Sequence, residues 1–142
     1  DTFGMLETAI AGSEWTVGFL DDLAMPLIKI ETGRTFFDFK AKYSDETTSY
    51  QFEFSLPTNV VRSIEQAARD ACQALGTSGL TRVDLRLDRQ NRPWVLEVNT
   101  VPGLTAHSLV PKAAAQMGID LGELCERALA GCLEKSAVRI ND

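Results

Sequence analysis

Two short segments, Arg82-Val83-Asp84 and Glu97-Val98-Asn99-Thr100, constrain this chain more than any other part of it. The stretch between them, Asp88-Arg89-Gln90-Asn91-Arg92-Pro93, is polar and ends in proline, which predicts a reversal centred near Gln90-Asn91. A symmetric hairpin about that centre sets Asp84 opposite Glu97 and Arg82 opposite Asn99. Facing carboxylates on one sheet face repel each other, and a cation between them relieves the repulsion. Two carboxylates and an amide oxygen are hard ligands, suited to magnesium bound together with substrate phosphates. Pro102-Gly103 and then His107-Ser108-Leu109 follow at once.

The 142 residues suffice for one domain with a real core, and 44% hydrophobic residues argue for a globular chain. A net charge of −6 on a mixed surface argues against nucleic acid or an anionic membrane as main partner. No apolar run approaches the roughly 20 residues that span a bilayer. There is no charged-then-apolar leader, so no secretory signal is expected. Cys72, Cys125 and Cys132 are widely spaced on predicted helices and read as reduced, small core residues. These points together predict a cytoplasmic protein. Because Asp1 rather than Met opens the sequence and leads straight into apolar residues, the chain reads as a piece of a longer protein. No internal repeat or low-complexity segment is visible.

Phe3 to Ile10 reads as a strand, as do Trp15–Leu20 and Leu27–Ile30, with a turn at Asp21-Asp22. The short connections predict an antiparallel meander. Phe36 to Glu46 reads as a loop. Tyr50, Phe52 and Phe54 alternate with Gln51 and Glu53, a strand pattern. Val61, Ile64, Ala68, Cys72 and Leu75 recur at helical spacing, predicting a helix over Thr58–Leu75 with Thr58 as N-cap and Gly76 ending it. A short helix is expected around Lys112–Met117, ending at Gly118. Asp120 and Glu123 form a capping box for a last helix with the stripe Leu121, Leu124, Ala128 and Cys132. This order predicts an α+β domain, helices packed on antiparallel sheet.

The block Gly79 to Lys112 joins Arg-Val-Asp, Glu-Val-Asn, Pro-Gly-Leu-Thr and His-Ser-Leu-Val-Pro-Lys. With these residues the chain resembles the C-terminal part of the D-alanine:D-alanine ligases, members of the ATP-grasp superfamily, from about Leu6 to Leu129. Phe37-Asp38-Phe39-Lys40-Ala41-Lys42-Tyr43 is similar to the family's ω-loop, with phenylalanines where tyrosines are usual. Glu7 through Gly12 to Glu14 resembles the adenine and ribose segment. There Thr8-Ala9 stand where a lysine or glutamine and a large aromatic are common.

The resemblance implies an ATP-grasp C-terminal domain that helps form D-alanyl-D-alanine, through an acyl phosphate, for peptidoglycan precursors. It implies ATP and one or two magnesium (or manganese) ions held by Asp84, Glu97 and Asn99. Arg82 would stabilise the acyl phosphate and tetrahedral intermediate; on residues alone the alternative is a surface ion pair with Asp84 or Glu97. Gly103 would offer a backbone N–H to the oxyanion. Ser108 and the N–H of Leu109 would hold the carboxylate of the second D-alanine, at a helix start where free N–H groups favour an anion. Lys42 would contact the terminal phosphate, and Tyr43 would close over the site, where tyrosine favours the dipeptide product. Glu7, Thr8, Ala9 and Ile10 would form the adenine hinge, and Glu14 would hold the ribose. His107, the sole histidine, reads as structural.

A glycine-rich phosphate loop does not occur in these 142 residues. Residues 1–142 therefore read as the C-terminal part of the ligase domain, without the N-terminal domain. The expectation is no ligation by this piece alone, and a homodimer for the full-length protein. Two rival readings stand beside this one: an ATP-grasp ligase for another carboxylate and amine, and a silent relative that only binds nucleotide.

Overall fold

A computed structural model describes residues 3–31 and 48–140. Its sheet runs β4-β3-β1-β5-β6, with every pair antiparallel: β1 Gly12–Leu20, β3 Ile28–Glu31, β4 Ser49–Gln51, β5 Leu80–Asp88 and β6 Pro93–Asn99. The two-residue β2, Leu23–Ala24, folds back on β1. Among the described residues three helices accompany the sheet: α1 Thr58–Leu75, α2 Leu109–Gln116 and α3 Leu121–Ile140. The α+β expectation holds.

Alternation in the central strands separates two cores. Trp15, Val17, Phe19, Val83, Leu85 and Leu87 bury one sheet face against Val60, Ile64 and Ala68 of α1. Leu20, Ile28 and Ile30 lie on the other face against Val110, Ala113 and Ala114 of α2 and Leu124 of α3. Helices on both faces explain why β1 and β5 are buried on both sides. Gly18 lets α2 approach closely, since a Cβ there would stand 3.1 Å from Met25 Sδ and 3.4 Å from a Val110 methyl.

Several local expectations change. Phe3–Ile10 forms no strand; its exposed Phe3, Met5 and Leu6 have no covering layer. The meander is instead made by β1, β2 and β3. The strand predicted over Tyr50–Phe54 is confined to Ser49–Gln51, because Phe54 turns to meet Trp15 edge-on at 4.8 Å. Pro57, not Thr58, occupies the N-cap of α1, and no side chain caps it. Its carbonyl accepts from the N–H groups of Val60 and Val61. Gly76 does end α1, at φ 63, with Thr77 N–H returning to the Cys72 carbonyl. Helix α2 begins three residues before its predicted start: Pro111 is tolerated in the first turn, where its missing N–H has no partner to lose. At α3 only one arm of the capping box forms. Asp120 accepts from the Glu123 N–H at 2.9 Å, while the Glu123 carboxylate turns to Arg127. None of the three cysteines is a fully buried core residue: Cys72 is half-buried against the core under α1, Cys125 is half-buried and Cys132 is exposed. The predicted loop over Phe36–Glu46 lies outside the described residues.

The hairpin joins β5 to β6 in an unexpected way. Its turn closes on Asp88 and Arg92, with Asn91 in the left-handed region at φ 58, a conformation asparagine tolerates. Leu85, Arg86 and Leu87 therefore face Val95, Trp94 and Pro93, one residue off the symmetric register. A bulge between Asp84 and Leu85 on this ladder, with Leu96 as the extra residue, then restores Asp84 opposite Glu97 and Arg82 opposite Asn99. Asp88 ties the turn together. Its carboxylate accepts from the N–H groups of Gln90 and Arg92, the Arg92 guanidinium and the Trp94 indole. Desolvation pushes this acid up, but those hydrogen bonds outweigh it and hold Asp88 well below the usual carboxylate range.

Candidate active site

Directly paired residues of an antiparallel ladder point to the same face. Three rungs thus build one surface: Glu14–Arg86–Trp94, Thr16–Asp84–Glu97, and Gly18–Arg82–Asn99. At its centre Arg82 grips Asp84 with two hydrogen bonds of 2.9 Å, Nε to Oδ1 and Nη2 to Oδ2. The same Nη2 lies 3.5 Å from Glu97 Oε1. The Thr16 hydroxyl donates to Asp84 Oδ1 at 2.7 Å. Asp84 and Arg82 are 2% and 7% exposed, so this pair is buried rather than a solvated surface bridge. Glu97 is half-exposed.

The facing carboxylates are therefore relieved by a guanidinium. Arg82 does pair with Asp84 and approach Glu97, but in a buried position rather than at the surface. The donor set also suits a hard cation. It offers two opposed carboxylates and the Asn99 amide, whose Oδ1 accepts from Val101 N–H at 3.0 Å and keeps a second lone pair in principle. Among the described residues no cluster of three or more Asp, Glu, His or Cys could hold a metal unaided. A cation here would need further oxygens from substrate or water, as magnesium usually takes.

Gly103 and Ser108 meet beyond the hairpin. A Cβ on Gly103 would stand 2.7 Å from Ser108 Oγ. That hydroxyl also receives the Thr105 N–H at 3.2 Å and lies 2.9 Å from the Thr105 hydroxyl. Ser108 is the N-cap of α2 by backbone, but its side chain makes no capping bond. It is held at the helix mouth, with the Leu109 N–H in the first turn. His107 is exposed.

The amino-terminal residues are placed less uniformly. Glu14 is buried on β1, opposite Arg86 and one residue pair along from Thr16. Thr8, Ala9 and Ile10 border a cavity of about 420 Å³ whose opposite wall is the hairpin turn and Trp94. Glu7 is exposed in the same irregular segment but does not line it. Lys42 and Tyr43 lie outside the described residues. Sequence reasoning missed Thr16 and Arg86. Arg86 donates to the Gly12 carbonyl at 2.9 Å, while its Nε is buried without a hydrogen-bond partner. The alternation of β1 was the available signal for Thr16, but only the register sets it against Asp84.

An antiparallel sheet walled by helices on both faces, with arginine and acids on its β5–β6 edge hairpin beside a helix mouth, defines an ATP-grasp type of domain. The chain belongs to the family described as D-ala D-ala ligase C-terminus, whose model matches residues 1–130. A D-alanine--D-alanine ligase of Alkalilimnicola ehrlichii is 45% identical over 139 residues, covering 98% of this chain and 45% of the relative. The D-alanine--D-alanine ligase of Bacillus anthracis complexed with ATP superposes with a TM-score of 0.80 at 29% identity, covering 94% of this chain and 42% of that one. The VanG D-Ala:D-Ser ligase of Enterococcus faecalis gives a TM-score of 0.72 at 27% identity, with 86% and 36% covered. The chain thus spans less than half the length of these relatives. Among the described residues, no helix is long and apolar enough to cross a membrane.

Proposed function

We propose that this chain is the catalytic C-terminal part of an ATP-dependent, cytoplasmic D-alanine:D-alanine ligase, a homodimer when complete. The observation that carries the reading is the buried Arg82–Asp84 pair beside Glu97, on the face that leads to Gly103 and Ser108. In the reaction, a carboxylate oxygen of one D-alanine attacks the terminal phosphorus of ATP, and ADP leaves. The amine of a second D-alanine then attacks the acyl carbon. The nitrogen loses a proton and inorganic phosphate departs. Charge builds on phosphoryl and carbonyl oxygens throughout, so preorganised cations and N–H groups lower the barrier.

Arg82 suits that task because Asp84 fixes its planar guanidinium with two hydrogen bonds. Asp84, Glu97 and Asn99 would hold one or two magnesium ions, which neutralise phosphate charge when bound. Gly103 would present its N–H to the carbonyl oxygen. Ser108 and the Leu109 N–H would orient the acceptor carboxylate. Glu14 would hold the ribose, and the base would lie by Glu7 to Ile10. Lys42 and Tyr43 would close the phosphate end and exclude water, which otherwise consumes acyl phosphates. The other half of the site lies in sequence beyond these residues, so the isolated chain should not turn over.

The test is phosphate release with ATP and a panel of D-amino acids, D-serine included, using the full-length protein and the isolated chain. Release by the full-length protein with D-alanine, and none by the isolated chain, is expected. Preference for another acceptor would remove the D-alanine assignment, and nucleotide binding without turnover would favour a silent relative. Gly103→Ala adds a Cβ 2.7 Å from Ser108 Oγ. It should raise the acceptor KM about tenfold through a displaced hydroxyl hydrogen bond. Gly103 is exposed, so the unfolding midpoint should stay near wild type. An unchanged acceptor KM would separate Gly103 and Ser108 from the acceptor.

A further inference from the structure

We infer that Lys112 is a further acceptor-binding residue, its ammonium held on the ring of Tyr50 to meet the carboxylate of the incoming amino acid. The inference rests on the reading of Ser108 and Leu109 as the acceptor end. Lys112 follows Ser108 by four residues, and its N–H donates to the Ser108 carbonyl at 3.1 Å. The two therefore share a face of α2. Helical side chains lean toward the N-terminus, which carries the lysine back toward Ser108. Its Nζ lies 4.5 Å from the Tyr50 ring centroid, in cation–π range.

Tyr50 links this lysine to the central site. It faces Ile30 on β3, and Ile30 faces Glu14 on β1, so all three share the site's face. Burial raises the Tyr50 phenol, and the positive charge of Arg82 partly offsets the rise. Arg82 thus lies within electrostatic reach of the ring. The two cations differ in one respect. Arg82 is balanced by Asp84 and Glu97. Lys112 is partly buried and, among the described residues, makes no ion pair. An aromatic face orients an ammonium without neutralising it, which leaves its charge for an anion. A lysine that merely covered the ring with its stem would serve packing alone.

Steady-state kinetics of the full-length protein separates these roles. At saturating ATP, Lys112→Met should raise the KM of the acceptor D-alanine about tenfold, the loss of one charged contact. The ATP KM and kcat should stay within about twofold. Tyr50→Leu removes the ring and should shift the acceptor KM as Lys112→Met does, and Tyr50→Phe, which keeps the ring, should shift it less. Unfolding midpoints measured alongside identify a variant that fails to fold; if Tyr50→Leu does so, Lys112→Met decides. A wild-type acceptor KM in Lys112→Met, or a change in the ATP KM instead, overturns the inference. No ligation by the unaltered protein would defeat the ligase reading itself, a distinguishable result.

Discussion

Arg82→Met in the full-length protein is expected to lower ligation by about a thousandfold, the scale on which a positioned cation stabilises phosphoryl and acyl transfer. The same change strands Asp84, which is 2% exposed, without its bidentate partner. Breaking a buried pair on one side costs about 3–5 kcal/mol, so the urea midpoint should fall as well. These effects must be separated before the activity loss is ascribed to chemistry. Arg82→Met combined with Asp84→Asn removes the stranded charge and keeps an oxygen for the Thr16 hydroxyl, now 2.7 Å from Asp84. The double variant should regain most of the stability, which measures how much of the single variant's loss is a folding effect; its activity should stay low because Asp84 is also a proposed magnesium ligand. Initial rates and urea unfolding on the three proteins provide the check. Turnover within tenfold of wild type in either variant would show that Arg82 serves only the fold.

Gly12→Ala is the second large effect. Gly12 has φ +152, and a Cβ there would stand 1.9 Å from the Leu87 carbonyl oxygen and 2.9 Å from its carbon. A Cβ has no rotamer with which to escape, and the obstacle is backbone. The end of the β1–β5 ladder, where Gly12 meets Asp88 and Ser13 meets Leu87, would have to part. The 2.9 Å bond from Arg86 to the Gly12 carbonyl would be lost with it. Strain and overpacking together suggest a cost of about 3 kcal/mol. The damage falls between Thr8–Ile10 and Glu14, so the ATP KM should rise while the acceptor KM changes little. Calorimetric unfolding and the two KM values test this. An unchanged transition temperature would mean that the strand end yields freely.

Much of the site was legible because its residues are close in sequence. Arg82, Asp84, Glu97 and Asn99 lie on two strands joined by one turn, and alternate residues on a strand share a face. The Asp84–Glu97 pairing followed from the centre of a polar turn, although two departures produce it. The turn is one residue out of symmetry, and the bulge at Leu96 compensates. Helix α1 was legible from its apolar spacing and Gly76. The false strand at Phe3–Ile10 shows the converse. Its apolar residues carry strand propensity, but among the described residues no sheet edge pairs with them.

The sequence by itself determined the hairpin, the residues on its polar face, a short helix soon after Ser108, and the family that these residues mark. Local turn chemistry and periodicity suffice for such features. Only the tertiary structure decided that Arg82 and Asp84 are buried, that Thr16 holds the acid from the next strand, and that Lys112 of α2 rests on Tyr50 of β4. Those contacts join residues far apart in the chain. They depend on strand order, and on a glycine at position 18 that lets a helix settle close to the sheet.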